Sequence, residues 1–85
     1  MGTTAAAIDR ARARLRTRGE ARLALLRDRG VSLSAIARDL GKDLSTVSRV
    51  NRGERRSREI EQEIAQRLGL SLPDAFPEWH RELPK

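Results

Sequence analysis

The sequence predicts an all-α domain of four to five helices built around a helix-turn-helix, with a basic N-terminal helix or arm ahead of it. Two observations predict this. Gly30, Gly41, Gly53 and Gly69 punctuate segments whose apolar residues recur three and four positions apart, the spacing of one helix face. Within Leu33 to Arg52, the residues Ile36, Ala37, Leu40, Gly41, Val47 and Val50 match the helix-turn-helix pattern at all six positions. Ala37 is the small neighbour where two helices approach closely, and Gly41 takes the left-handed conformation that costs a Cβ-bearing residue energy. The alternative for this stretch is a helical hairpin in an unrelated bundle.

The elements follow in order. Thr3 or Thr4 can cap a segment from Ala5 to about Arg18. Its arginines at 10, 12, 14, 16 and 18 surround the helix instead of forming one stripe, because a step of two residues turns about 200°. Ile8, Ala11 and Leu15 are its docking side. It reads as a frayed helix, a basic arm, or an extension of the next helix through Gly19, so residues 1–18 are set apart from a domain spanning 19–85. From Glu20 to Arg29, Leu23 and Leu26 point inward with Leu25 beside them, and Gly30 stops the helix. Ser32 caps the helix from Leu33 to Leu40; Asp43, or Ser45, caps the one that runs to about Val50. Residues 51–56 form a polar loop. Ser57 caps a helix whose first turn carries Glu59 and Glu61, as the macrodipole favours, and whose inner face repeats Ile60, Ile64 and Leu68. Ser71-Leu72-Pro73-Asp74 opens a single turn, and Phe76-Pro77-Glu78-Trp79 folds the tail back with both rings against the core.

Eighty-five residues make one domain, in which folding buries only about 60–65% of the unfolded surface. A ligand cavity has little room, and no small-molecule ligand or cofactor is evident. With no Cys, disulfides and thiolate metal sites are excluded and a reducing compartment is acceptable. No apolar run nears the roughly 20 residues of a membrane span, and the N-terminus lacks a secretory apolar core. Phe76 and Trp79 are the only aromatics, too few for a single-strand stacking platform.

Charge is segregated. Residues 1–58 hold 15 Lys or Arg against 6 Asp or Glu, net +9; residues 59–85 hold 3 against 6, net −3, which sums to the +6 of the whole chain. Sixteen of the basic residues are Arg, which a GC-rich coding bias partly explains; bias does not explain the segregation. A basic front suits a polyanion. Nucleic acid is favoured over an anionic membrane, because no helix joins a basic face to a large apolar one.

From about Glu20 to Trp79 the chain resembles the helix-turn-helix domains of the phage Cro and lambda-repressor type, and most closely the Ner-type regulators of Mu-like phages. The resemblance rests on RGVSLSAIARDLG, STVSRVNRGERR, IEQEIAQRLGL and the closing FPEW. It implies a compact five-helix, lambda-repressor-like domain, bacterial or phage-encoded, that binds operator DNA and represses or tunes phage or mobile-element transcription. Residues 1–18 lie outside the family pattern. Lys42 departs from it too, standing where the family more often places an apolar residue.

In this geometry the exposed N-terminal half of the second helix meets base edges. The residues not needed for packing are Leu44, Ser45, Ser48 and Arg49. The planar fork of Arg49 can hold guanine O6 and N7 together, worth about 1–3 kcal/mol of discrimination; its alternative is a phosphate contact or a surface salt bridge. Ser45 gives weak selectivity. Leu44 meets a thymine methyl or is a half-buried turn residue. Ser34 and Thr46, near helix N-termini, are expected at phosphates. Lys42, Arg52, Arg55 and Arg56 form the expected phosphate clamp, the alternative being a solvated basic loop. Arg10 to Arg18 track a neighbouring groove or remain a solvated tail, and Arg38 and Asp39 are solvent-facing.

Catalysis finds no support. His80 is the only His and has no second ligand at useful spacing, and the Glu59/Glu63 pair reads as a solvated helix face. No Gly-rich phosphate loop or metal-ligand cluster is present. The leading expectation is therefore a cytoplasmic, sequence-specific double-stranded DNA-binding regulator and not an enzyme, possible as a homodimer. One alternative is an antitoxin-like interaction module using Leu70, Leu72, Phe76 and Trp79 as an exposed patch. Another is the recognition head of a transposase, which needs a catalytic domain outside these 85 residues.

Overall fold

A computed structural model describes residues 18–80. All regular structure in them is helical: α1 (residues 18–28), α2 (Leu33–Leu40), α3 (Leu44–Asn51), α4 (Arg58–Leu68), and two single turns, α5 (Leu72–Ala75) and α6 (Pro77–His80). That is the expected all-α class, with the tail contributing two short helices where one turn was expected. The expectations for Arg10–Arg16, the Thr3/Thr4 cap and the docking residues Ile8, Ala11 and Leu15 lie outside the described residues.

Each long helix spends its apolar face on one core. Leu26 of α1, Ile36 of α2, Val47 and Val50 of α3, Ile64 of α4 and Phe76 after α5 are all fully buried. Each such side chain contributes about 1.5–3 kcal/mol by leaving water. Leu23 is half-buried, but Leu25 stands 47% exposed on the flank of α1.

Local chemistry fixes the helix ends. Ser32 Oγ accepts the Ala35 N–H at 3.0 Å and starts α2. Gly41, at φ +66°, ends it: its N–H donates to the Arg38 carbonyl and the Lys42 N–H to the Ala37 carbonyl at 2.9 Å, a Schellman closure. The chain then re-enters a helix after only two residues, which sets the angle between α2 and α3. Asp43 occupies the N-cap of α3, but its side chain makes no capping hydrogen bond; only its carbonyl is used, by the Val47 N–H at 3.1 Å.

Gly19 lies inside α1, so the helix runs through it and does not stop there. A Cβ at this position would meet the Arg52 Cα and the Asn51 carbonyl oxygen at 3.0 Å. The glycine lets α1 cross the end of α3 with backbones nearly touching, and Asn51 Nδ2 donates to the Gly19 carbonyl at 3.0 Å across that crossing.

Arg22, one turn further along α1, is the side chain that ties the most elements together. It is only 4% exposed. Its Nε donates to the Asn51 carbonyl at 3.1 Å, joined there by Nη2. Nη1 donates to the Ala75 carbonyl at 3.0 Å, and the fork grips Glu78 at 3.2 and 2.9 Å. Its guanidinium carbon sits 4.1 Å over the Phe76 ring. The carbonyls of Asn51 and Ala75 end α3 and α5, where helices leave acceptors unsatisfied and carry partial negative charge.

Arg22→Met should therefore cost about 3–5 kcal/mol, because it strands the buried Glu78 carboxylate and two helix-end carbonyls. In thermal melts monitored by circular dichroism this should lower Tm by more than about 10 °C. Adding Glu78→Gln should restore only part of the loss. A single variant that melts like the parent would show that the network contributes little.

Candidate nucleic-acid interface

Helix α3 is held from beneath. Val47 and Val50 are fully buried and Asn51 nearly so, which fixes the rotation of the helix. Of the four expected base-reading residues, Ser45 and Arg49 are exposed, Leu44 is 48% exposed and Ser48 is half-buried. Leu44 is thus a largely exposed residue and not part of the buried core. The Arg49 side chain makes no hydrogen bond or ion pair with any other described residue. Ser48 Oγ accepts from Arg52 Nη1 at 3.1 Å.

The expected phosphate residues divide into two groups. Lys42, Thr46, Arg55 and Arg56 come together in an open cleft of about 350 Å³ between the α2–α3 turn and the start of α4, lined also by Gly41, Asp43, Ser57 and Ile60. Ser34, in the first turn of α2, and Arg52, the C-cap of α3, are exposed and lie outside that cleft.

The cations differ in what already holds them. Lys42 pairs with Glu59 at 3.4 Å and Arg52 with Glu54 at 3.2 Å, with all four side chains substantially exposed. Such pairs are worth about 0–1 kcal/mol, so a phosphate can replace them at small cost. Arg55 is exposed and has no partner among the described residues. Arg56 is different: its Nε donates to Glu61 Oε2 at 3.2 Å, and its guanidinium carbon lies 4.6 Å over the Trp79 ring.

Glu61 stands in the first turn of α4, as the sequence predicts, but it is fully buried, which the sequence does not show. Its Oε2 also accepts the Ser57 N–H at 3.0 Å, and its Oε1 meets His80 Nε2 at 2.5 Å. Ser57 Oγ in turn accepts the Ile60 N–H at 3.4 Å. This is a capping box displaced by one residue, since the motif places the acid three positions after the serine and here it stands four after. The Ser57-x-x-x-Glu61 spacing was the available signal. Burial alone would raise the Glu61 pKa, but hydrogen bonds from His80, the Ser57 backbone and Arg56 outweigh it and hold the carboxyl below its ordinary 4.5. On the opposite face Arg67 bridges Asp39 at 2.6 Å and Glu63 at 2.7 Å, tying α2 to α4; Arg38 is exposed, as expected.

The patch expected for an interaction module is mostly core. Phe76 is fully buried and the half-buried Leu72 packs against the core, leaving Leu70 and Trp79 the more exposed, at 38% and 37%. Among the described residues no helix is long and apolar enough to cross a membrane, and no group of three or more His, Cys, Asp or Glu side chains is arranged to hold a metal ion.

Comparison with known families agrees with this geometry. Residues 21–52, a little over a third of the chain, match the family model of a helix-turn-helix domain. The span takes in most of α1, all of α2 and α3, and the C-cap of α3. Among the described residues the fold is all-helical, and α2, the turn at Gly41 and α3 form a helix-turn-helix, a unit whose second helix enters the DNA major groove in DNA-binding proteins. Neither a curated protein nor a solved structure gives a match.

The lowered Glu61 pKa has a stability consequence. Its contribution is complete above the unfolded value near 4.5 and is lost as pH falls through the lower folded value. Tm measured against pH should fall on acidification in the parent, and Glu61→Gln should show a shallower fall from a lower starting Tm. Parallel Tm curves for the two proteins would contradict this account.

Proposed function

We propose that the protein is a sequence-specific double-stranded DNA-binding transcriptional regulator, repressor-like and of the phage or mobile-element kind that Ner-type regulators exemplify, acting in the cytoplasm without catalysis. The observation that carries the reading is the split face of α3. Val47 and Val50 are fully buried, while Arg49 stands exposed with no partner among the described residues, beside a cleft that gathers Lys42, Thr46, Arg55 and Arg56. Base contacts then fall to Arg49 at a guanine, Ser45 and Ser48 at hydrogen-bonding edges, and Leu44 at a thymine methyl. The cleft residues, with Ser34 and Arg52, take the backbone. Phosphate contacts set register and salt dependence, and base contacts set sequence preference.

The two classes of residue separate in binding titrations against a duplex selected from a random library and against unselected duplex. Arg49→Ala should lose about 1–3 kcal/mol of preference for the selected site while keeping most non-specific affinity. Arg55→Ala should weaken binding to both duplexes and reduce the slope of log K against log salt by about 0.9. An Arg49→Ala protein with unchanged preference would rule out direct readout by α3. A footprint on the selected DNA would show a two-fold symmetric site for a homodimer or tandem sites for monomers.

A further inference from the structure

We propose that Glu61 and Trp79 are positioning residues that aim the Arg56 guanidinium at a DNA phosphate, so that the C-terminal turn α6 governs how firmly the cleft grips the backbone. The proposal rests on the DNA-binding reading above and adds a relation between parts of the fold that reading does not use.

Arg56 belongs to the loop between α3 and α4, where a long side chain would normally sample many rotamers. Here two contacts remove that freedom while leaving half of the side chain exposed: Nε is held by Glu61 and the flat face lies on Trp79. Neither contact uses the terminal amino groups, which donate to no other described residue. They are the two donors with which a guanidinium grips a phosphate edge-on, and Arg56 lines the cleft beside Lys42, Thr46 and Arg55.

The partners are themselves fixed. Glu61 is fully buried between the Ser57 N–H and His80 Nε2. Trp79 and His80 are neighbours on α6, which Arg22 fastens through Glu78. The negative charge of Glu61 offsets the charge of Arg56, so the gain lies in orientation settled before DNA arrives.

The test is a double-mutant cycle on affinity for a short duplex of arbitrary sequence, read by fluorescence anisotropy across a salt series, with a thermal melt of every variant. Arg56→Ala should lower affinity and reduce the salt slope by about 0.9. Trp79→Leu should weaken binding about two- to fivefold, the range of an exposed cation–π contact, and should have no effect when Arg56→Ala is already present. Trp79→Phe, which keeps an aromatic face, should bind within about twofold of the parent and serves if the leucine variant does not fold. Emission of the sole tryptophan should also change on Arg56→Ala in the free protein. If Arg56→Ala leaves the salt slope intact, Arg56 is not a phosphate ligand and the proposal falls, while readout by Arg49 stands or falls separately. If Trp79→Leu weakens binding equally with and without Arg56, positioning is rejected and the clamp survives. A parent protein that binds no duplex overturns both.

Discussion

One buried cation organises this domain. Arg22 sits where four helices meet and satisfies the helix-end carbonyls of α3 and α5, while its charge is matched by Glu78. A methionine of similar length would fill the space but leave those acceptors dry, so the site is specified by hydrogen bonding and not by volume. Its consequences run outward. Glu78 fastens α6; α6 carries Trp79 and His80; these two meet Arg56 and Glu61, at the rim of the basic cleft. The tail, which reads from the sequence as a simple lid on the core, thus stands in one connected set of contacts with the expected DNA-binding surface.

The same contacts change the meaning of the net charge. A count gives the first 58 residues nine excess positive charges, but the cations are not equivalent. Arg22 is neutralised inside the fold, and Arg67 is engaged by two carboxylates away from the cleft. Lys42 and Arg52 hold exposed, exchangeable pairs, whereas Arg49 and Arg55 are uncommitted among the described residues. Exposed pairs are worth little in water, so the surface surrounding α3 keeps most of its attraction for a polyanion. Burial thus sorts the arginines by role, and the sequence alone does not show which side of that division each one occupies.

What the sequence displays is what local geometry determines. The spacing Ile36, Ala37, Leu40, Gly41, Val47, Val50 is legible because helix period and left-handed turn are properties of neighbouring residues, and the helix-turn-helix stands where that spacing puts it. The outward side of α3 follows from the same period. Gly19 was ambiguous, since its reason is an approach to Arg52 and Asn51 more than thirty positions away. Arg22 and Glu61 look like surface charges in any local window, and only packing with α3, α5 and α6 reveals them as buried. Asp43 has the composition of a cap and the position of one, yet its side chain makes no capping bond. Cap chemistry is therefore a permission and not a guarantee.

A final consequence concerns the rigidity that base recognition needs. Eight residues make too short a helix to persist in water by themselves, and α3 lacks a side-chain cap at its N-terminal end. Its order is imposed from below by Val47 and Val50 and at its C-terminal end by Arg22 and the Gly19 crossing. The end left without such fastening is the one that carries Leu44 and Ser45 and borders the cleft through Thr46. The helix is clamped at the end that carries Arg49 and free of side-chain caps at the end that carries Leu44 and Ser45. If α3 reads DNA as proposed, sequence preference is a tertiary property: substitutions in α1 or α6 that loosen the C-terminal fastening should blur it without touching a residue expected to face DNA.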